Sequence, residues 1–271
     1  MPLVKKILMS LLAIVMPTLA LSHEFWIEPQ EFQLPNDAEL VADLRNGEMF
    51  KGSAQSYLPQ RTRRLEFYLG DEVAQIEPRI GDRPVIDMTM NGDGLMVLVH
   101  ETADSVITYR EIEKFARFLQ HKDAPDALSE QLAEGLPDDG IREVYSRYTK
   151  SLVALGSGAG ADRKVGLKTE LVALENPYTG DVSDGVDVVL YYNDAPRSDA
   201  QIEVFERAPD ASVMVSFVRT DDRGRATVPV RPGHAYMLDA VAIRRPATEL
   251  ATERNVLWES LWANLTFFIP E

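Results

Sequence analysis

Punctuation is what most constrains this chain. From His23 to about Thr108, and again from about 165 to 271, apolar residues come in short runs of strand length, closed by Gly, Asn, Asp or Pro. Arg64-Leu-Glu-Phe-Tyr-Leu69 alternates polar and apolar and stops at Gly70-Asp71. Val85-Ile-Asp-Met-Thr-Met90 alternates too and stops at Asn91-Gly92. Val41–Leu44 is a further candidate. Leu95–His100 is almost continuously apolar, as expected of a central strand. Strands at roughly ten-residue spacing with turn residues between them predict a mainly β protein built from antiparallel sandwiches.

The middle of the chain reads differently. Thr108 with Glu111 matches a helix-capping box, and Ile112, Phe115, Ala116 and Leu119 fall on one helical face. Leu128 and Leu132 predict a short second helix ending at Gly135. Ile141, Val144, Tyr145, Tyr148 and Leu152 predict a third. Gly156-Ser-Gly-Ala-Gly160 reads as a linker. It is not a phosphate loop, because it follows a helical pattern and no Gly-Lys-Ser/Thr completes it. Strand patterns then resume at Gly166–Leu174, Val186–Tyr192, Ala200–Glu206, Val213–Arg219, Ala226–Val230, Tyr236–Ile243 and Trp258–Ile269, with a hairpin turn at Asp221-Asp-Arg-Gly224. The order of turns and strands around Pro196, Thr220–Ala226 and Pro232-Gly-His234 resembles transthyretin-like and collagen-binding-B-like modules. The expected organisation is a leader over 1–22, an N-terminal β-sandwich over 23–107, a helical insert and linker over 108–160, and a C-terminal Ig-like/transthyretin-like sandwich over 161–271.

The leader is a secretory signal by its pattern. Lys5 and Lys6 precede an apolar stretch from Ile7 to Ala20, and Ala20-Leu21-Ser22 offers small residues at the positions a signal peptidase reads. An apolar run interrupted by Pro17 is short for a spanning helix, so the mature protein is expected to be periplasmic and not membrane-spanning. Zero cysteine excludes disulfide scaffolds, thiolate metal sites and a Cys nucleophile. The formal charge of −15, made more negative by losing Lys5 and Lys6, argues against nucleic acid as a partner.

Cleavage after Ser22 would start the mature chain at His23. An N-terminal histidine offers its α-amine and Nδ1 to one metal. A second imidazole would complete a three-nitrogen histidine brace, suited to Cu(II) and, with falling affinity, Ni(II), Zn(II) and Co(II). The chain has only four histidines. His100 closes the apolar strand and equally reads as a core or rim histidine. His234, in Pro232-Gly-His-Ala, equally reads as a turn residue, and His121 as a helix-end cation. Glu24, Glu28 and Glu101 are carboxylates near the two favoured histidines. No His-Glu-x-x-His, Gly-x-Ser-x-Gly or Walker pattern occurs, and no enzyme chemistry is predicted.

His23-Glu-Phe-Trp-Ile-Glu-Pro29 after a signal peptide, Asp43-Leu-Arg-Asn-Gly-Glu-Met-Phe-Lys-Gly52, His100-Glu-Thr, Glu175-Asn-Pro-Tyr178, Pro232-Gly-His-Ala-Tyr236 and Trp258–Phe267 together resemble the exported family labelled domain of unknown function 4198. The resemblance implies metal binding or delivery beside a metal importer or an outer-membrane receptor. It carries over to His23 and His100, and to His234 with less weight. The expected function is therefore a copper- or nickel-binding accessory of metal uptake. The alternatives are an envelope interaction or scaffold module without metal, using Trp26, Trp258 and Trp262 as a contact face, and a copper oxidative enzyme of the polysaccharide monooxygenase type.

Overall fold

The computed structural model describes residues 23–271, and the expected leader lies outside the described residues. Alternating and continuous apolar runs become strands. In chain order these are β1 (Glu24–Pro29), β2 (Gln33–Leu34), β3 (Ala38–Glu48), β4 (Lys51–Gln55), β5 (Thr62–Leu69), β6 (Glu72–Gln75), β7 (Ile86–Met90), β8 (Gly94–Thr102) and β9 (Ser105–Tyr109). Helices α1 (Ile112–His121) and α2 (Pro125–Ala133) follow. Then come β10 (Ile141–Leu155), β11 (Thr169–Ala173), β12 (Val186–Tyr192), β13 (Ala195–Pro196), β14 (Gln201–Arg207), β15 (Val213–Arg219), β16 (Arg225–Val228) and β17 (Ala235–Arg244). Helix α3 (Thr248–Arg254) and β18 (Trp258–Phe268) close the chain. The protein is mainly β, as expected.

Among the described residues the strands make three sheets. The largest runs β15-β14-β17-β18-β10-β8-β5-β6, with β2 and β9 also pairing with β10. The second is β1-β3-β4 with β7 on β3, and the third is β11-β12-β13 with β16 on β12. Alternation along β8 shows why the large sheet is the middle layer. Leu95, Val97 and Val99 pack with Leu171, Val188 and Leu190 of the third sheet. Met96 and Leu98 face Ile27, Leu40 and Ile86 of the second. Toward β17 and β18 that same side is covered by Trp26, Phe32 and Phe50, and by α1 through Phe115, Phe118 and Leu119 on Trp258 and Trp262.

The expected third helix is a correction. Residues 141–155 form β10, which pairs in parallel with β18 and antiparallel with β8 and β9. The apolar spacing matches a helix, but the intervening polar residues Glu143, Thr149, Lys150 and Ser151 are buried as well, which a one-faced helix would not allow. Glu143 accepts hydrogen bonds from Tyr109 and Ser260, and Lys150 pairs with Asp162 and Glu170. Through β10, strands from both sides of the expected insert enter one sheet. Residues 156–160, expected as a linker, form a turn pinned by hydrogen bonds. The Gly158 N–H meets the Leu155 carbonyl, the Leu95 N–H meets the Ala159 carbonyl, and Asn176 Nδ2 donates to the carbonyls of Gly158 and Gly160. The expected capping box is absent: Thr108 lies in β9, and Glu111 precedes α1 without a side-chain cap. Among the described residues no helix is long and apolar enough to cross a membrane.

Candidate functional site

His100 lies near the end of β8, on the face that carries Met96 and Leu98. It is 2% exposed. Its ring stacks on Phe25 of β1, with centroids 5.4 Å apart. The expected neighbourhood of the chain start and His100 therefore arises between facing sheets, since β1 pairs with β3 and not with β8. Burial pushes the imidazole down to about 3, so the ring is neutral at ordinary pH. Nε2 lies 3.2 Å from the Thr62 hydroxyl. Nδ1 is buried without a partner.

Arg147, on β10 beside Trp262 of β18, forms the adjoining wall. Its Nη2 donates to the His23 carbonyl at 2.8 Å, and its backbone N–H to the Thr102 hydroxyl at 2.9 Å. The guanidinium lies 4.5 Å from the Tyr145 ring centroid, 5.6 Å from Phe25 and 5.8 Å from Trp262. These groups border a cleft of about 650 Å³, lined among others by Phe25, Tyr57, Arg61, His100, Tyr145 and Arg147.

His23 stands just outside the cleft lining, immediately before β1. Its side chain is 45% exposed, and Nδ1 lies 3.7 Å from Glu48 Oε1 at the end of β3. That is too long for a hydrogen bond but near the roughly 3.4 Å edge of a tetrahedral site with ligand bonds of about 2.1 Å. His234 is elsewhere. It precedes β17, and its Nδ1 approaches Glu206 Oε1 at 2.6 Å, off the hydrogen-bond direction, with Arg231 at 3.4 Å from the same oxygen. The β17–β18 register puts Ala235 opposite Phe268, six residues and about 20 Å along β18 from Trp262. His234 thus shares no wall with His100.

The carboxylates expected near the histidines are engaged elsewhere. Glu28 pairs with Arg207 and Glu101 with Arg63. Glu24 joins a cluster with no local sequence signature. Glu24, Glu203 and Asp239 bring carboxylate oxygens within 4.8 Å of one another, the only such set of three His or acidic side chains among the described residues. Lys122, just after α1, fills it, with Nζ at 3.3, 2.8 and 3.1 Å from the three. Burial raises Glu24 to about 7 and Asp239 above its ordinary range, although Lys122 pulls both down. Burial would raise Glu203 too, but hydrogen bonds from His121 and Lys122 hold it below the usual carboxylate value. The cluster ties β1, α1, β14 and β17 together beside the cleft. Lys122 Nζ stands 4.7 Å from the Trp262 ring, the ring that also flanks Arg147.

One protein-family profile matches residues 20–244. The chain belongs to that family, Domain of unknown function (DUF4198). No curated protein matches it. Among solved structures, a tetra-tandem repeat in the extending region of a large adhesion protein is similar at 9% identity and a TM-score of 0.20. The match covers 90% of this chain and 49% of that one, so this chain spans about half its length. A TM-score this low supports no argument about fold.

Proposed function

We propose that the processed protein binds a transition-metal ion, copper or nickel, at the start of β1, and serves as a periplasmic accessory of metal uptake. One observation carries the reading: the Phe25 ring, two residues from His23, lies on the ring of His100, while Arg147 fixes the His23 carbonyl to the same wall. In this reading His23 supplies its imidazole and the amine that processing creates, and His100 supplies its unpartnered Nδ1. Glu48 is a further oxygen donor, 3.7 Å from His23 Nδ1. The donor set is nitrogen-rich with one carboxylate, which suits copper and nickel, and after them zinc and cobalt. His234, about 20 Å away along β18, takes no part. In organisation we read the two smaller sheets, packed on opposite faces of the large one, as two Ig-like/transthyretin-like sandwiches that share a layer.

Isothermal titration of the protein beginning at His23 tests this. One tight site for Cu(II) or Ni(II) is expected, weakened in a form extended by one residue before His23 and in His100→Ala. Equal affinity in all three forms would remove the assignment.

A second reading, an envelope interaction module without metal, is favoured by a different surface. β15 is an edge of the large sheet, and it exposes Met214 (48%) and Phe217 (52%). Unpaired, apolar edge strands are templates for strand addition. Trp26, Trp258 and Trp262 cannot form that face, because all three are buried. A partner held by metal-free protein and lost in Phe217→Lys would support this reading over the first.

A further inference from the structure

The cleft beside Arg147 has a composition that a cation site does not explain. The chain carries 43 Asp and Glu, yet none of them lines the cleft, whereas Arg61 and Arg147 do. In a strongly acidic protein this is an island of positive charge that concentrates anions.

Arg147 is the telling residue. It is 7% exposed. A guanidinium this buried is ordinarily paired with a carboxylate, because leaving its charge unpaired in a low-dielectric setting is costly. Among the described residues no carboxylate is in ion-pair contact with Arg147; Glu143 and Asp239 feel its charge only from beyond contact distance. Nη2 is used by the His23 carbonyl, and Nε is buried with no acceptor. The three rings around the guanidinium supply cation–π attraction and fix its position, but they satisfy none of its N–H groups. The hydroxyls of Thr62 and Ser105 line the same cleft, and Arg61 stands exposed at its rim.

We propose that this cleft is a binding site for a small organic carboxylate. The ligand's carboxylate takes the place of the missing ion-pair partner of Arg147. Its carbon skeleton lies against Phe25, Tyr57 and Tyr145, and Arg61 steers it or meets a second acidic group. A volume of about 650 Å³ is more than enough to admit a ligand of that kind. A carboxylate can accept from the guanidinium N–H groups that the His23 carbonyl leaves unused, and its single charge balances the one buried cation that lines the cleft. A phosphate dianion would leave its second charge to the exposed Arg61 alone.

The test uses metal-free protein beginning at His23, with succinate and benzoate as probes and inorganic phosphate as the comparison, followed by isothermal titration and by amide chemical shifts. Saturable binding of at least one carboxylate at millimolar concentration or below is expected, with shifts at Thr62, Thr102 and Tyr145. Arg147→Lys, which keeps the charge but not the fork, should weaken it by about tenfold. Arg61→Gln, on an exposed side chain that the fold does not need, should weaken it by about threefold. The proposal fails if neither probe saturates, if phosphate binds more tightly than both, or if both variants bind as the wild type does. Because metal is absent, the two proposals separate. Carboxylate binding without metal binding removes only the metal assignment, and the converse removes only this one.

Discussion

Replacing Lys122 by Met would remove the one cation among Glu24, Glu203 and Asp239 while leaving a side chain of similar volume. Each carboxylate now lies within 3.3 Å of the ammonium. Without it, two ionised carboxylates about 4 Å apart would repel each other by about 4 kcal/mol at an effective dielectric near 20, so protonation would relieve part of the strain. Breaking a buried pair by removing one partner costs about 3–5 kcal/mol, which is the loss expected near neutral pH. The sign of its pH dependence follows from the raised carboxyls. Glu24 in the wild type already stands at about 7, above its usual value, and Asp239 is raised as well. Both rise further without Lys122, so the folded variant holds more protons than its unfolded chain. Stability is then lost as pH climbs from the ordinary carboxylate range through the raised folded values. The deficit should be largest at about pH 8 and smaller at about pH 5. Urea denaturation followed by tryptophan fluorescence measures it, since Trp262 lies beside Lys122. A deficit under about 1 kcal/mol at the higher pH, or one no larger there than at the lower pH, would refute the reasoning.

His100 predicts a pH dependence of opposite sign. Its folded value of about 3 lies below the ordinary imidazole value, so its contribution is present above about pH 6.5 and is lost by up to about 1.4 kcal/mol per pH unit as pH falls toward 3. Comparing metal-free wild type with His100→Leu by denaturant titration isolates that slope from the raised Glu24 and Glu143, and equal slopes would contradict it. Gly52 faces Gly47 across β3 and β4, and a Cβ there would lie 2.5 Å from the Asn46 carbonyl and 2.7 Å from the Trp26 ring. Gly52→Ala should therefore destabilise by about 1–3 kcal/mol and change the near-ultraviolet dichroism of Trp26, and a neutral effect would show the hairpin free to move.

The chain's own pattern made β5, β7, β8 and most strands after β11 legible, because alternation and turn residues act over a few neighbours. β10 was not legible. Its apolar residues fall at helical spacing, and its buried charged residues find their partners outside the strand, Glu143 with Ser260 117 residues on. The site divides in the same way. His23 and His100 can be singled out because histidine is rare here and their residue type carries metal chemistry. Arg147 could not be, since it is one of 28 Lys and Arg, and what distinguishes it is burial with no carboxylate in contact. Lys122 lies 98, 81 and 117 residues from its three partners, a constellation that only the folded sheet order assembles.

The most direct test of the metal assignment is the electron paramagnetic resonance spectrum of the protein beginning at His23, loaded with one equivalent of Cu(II). A single copper environment with three nitrogen donors is expected, falling to two in His100→Ala and losing the amine when one residue is placed before His23. Weak, heterogeneous copper, or a spectrum indifferent to both changes, would contradict it.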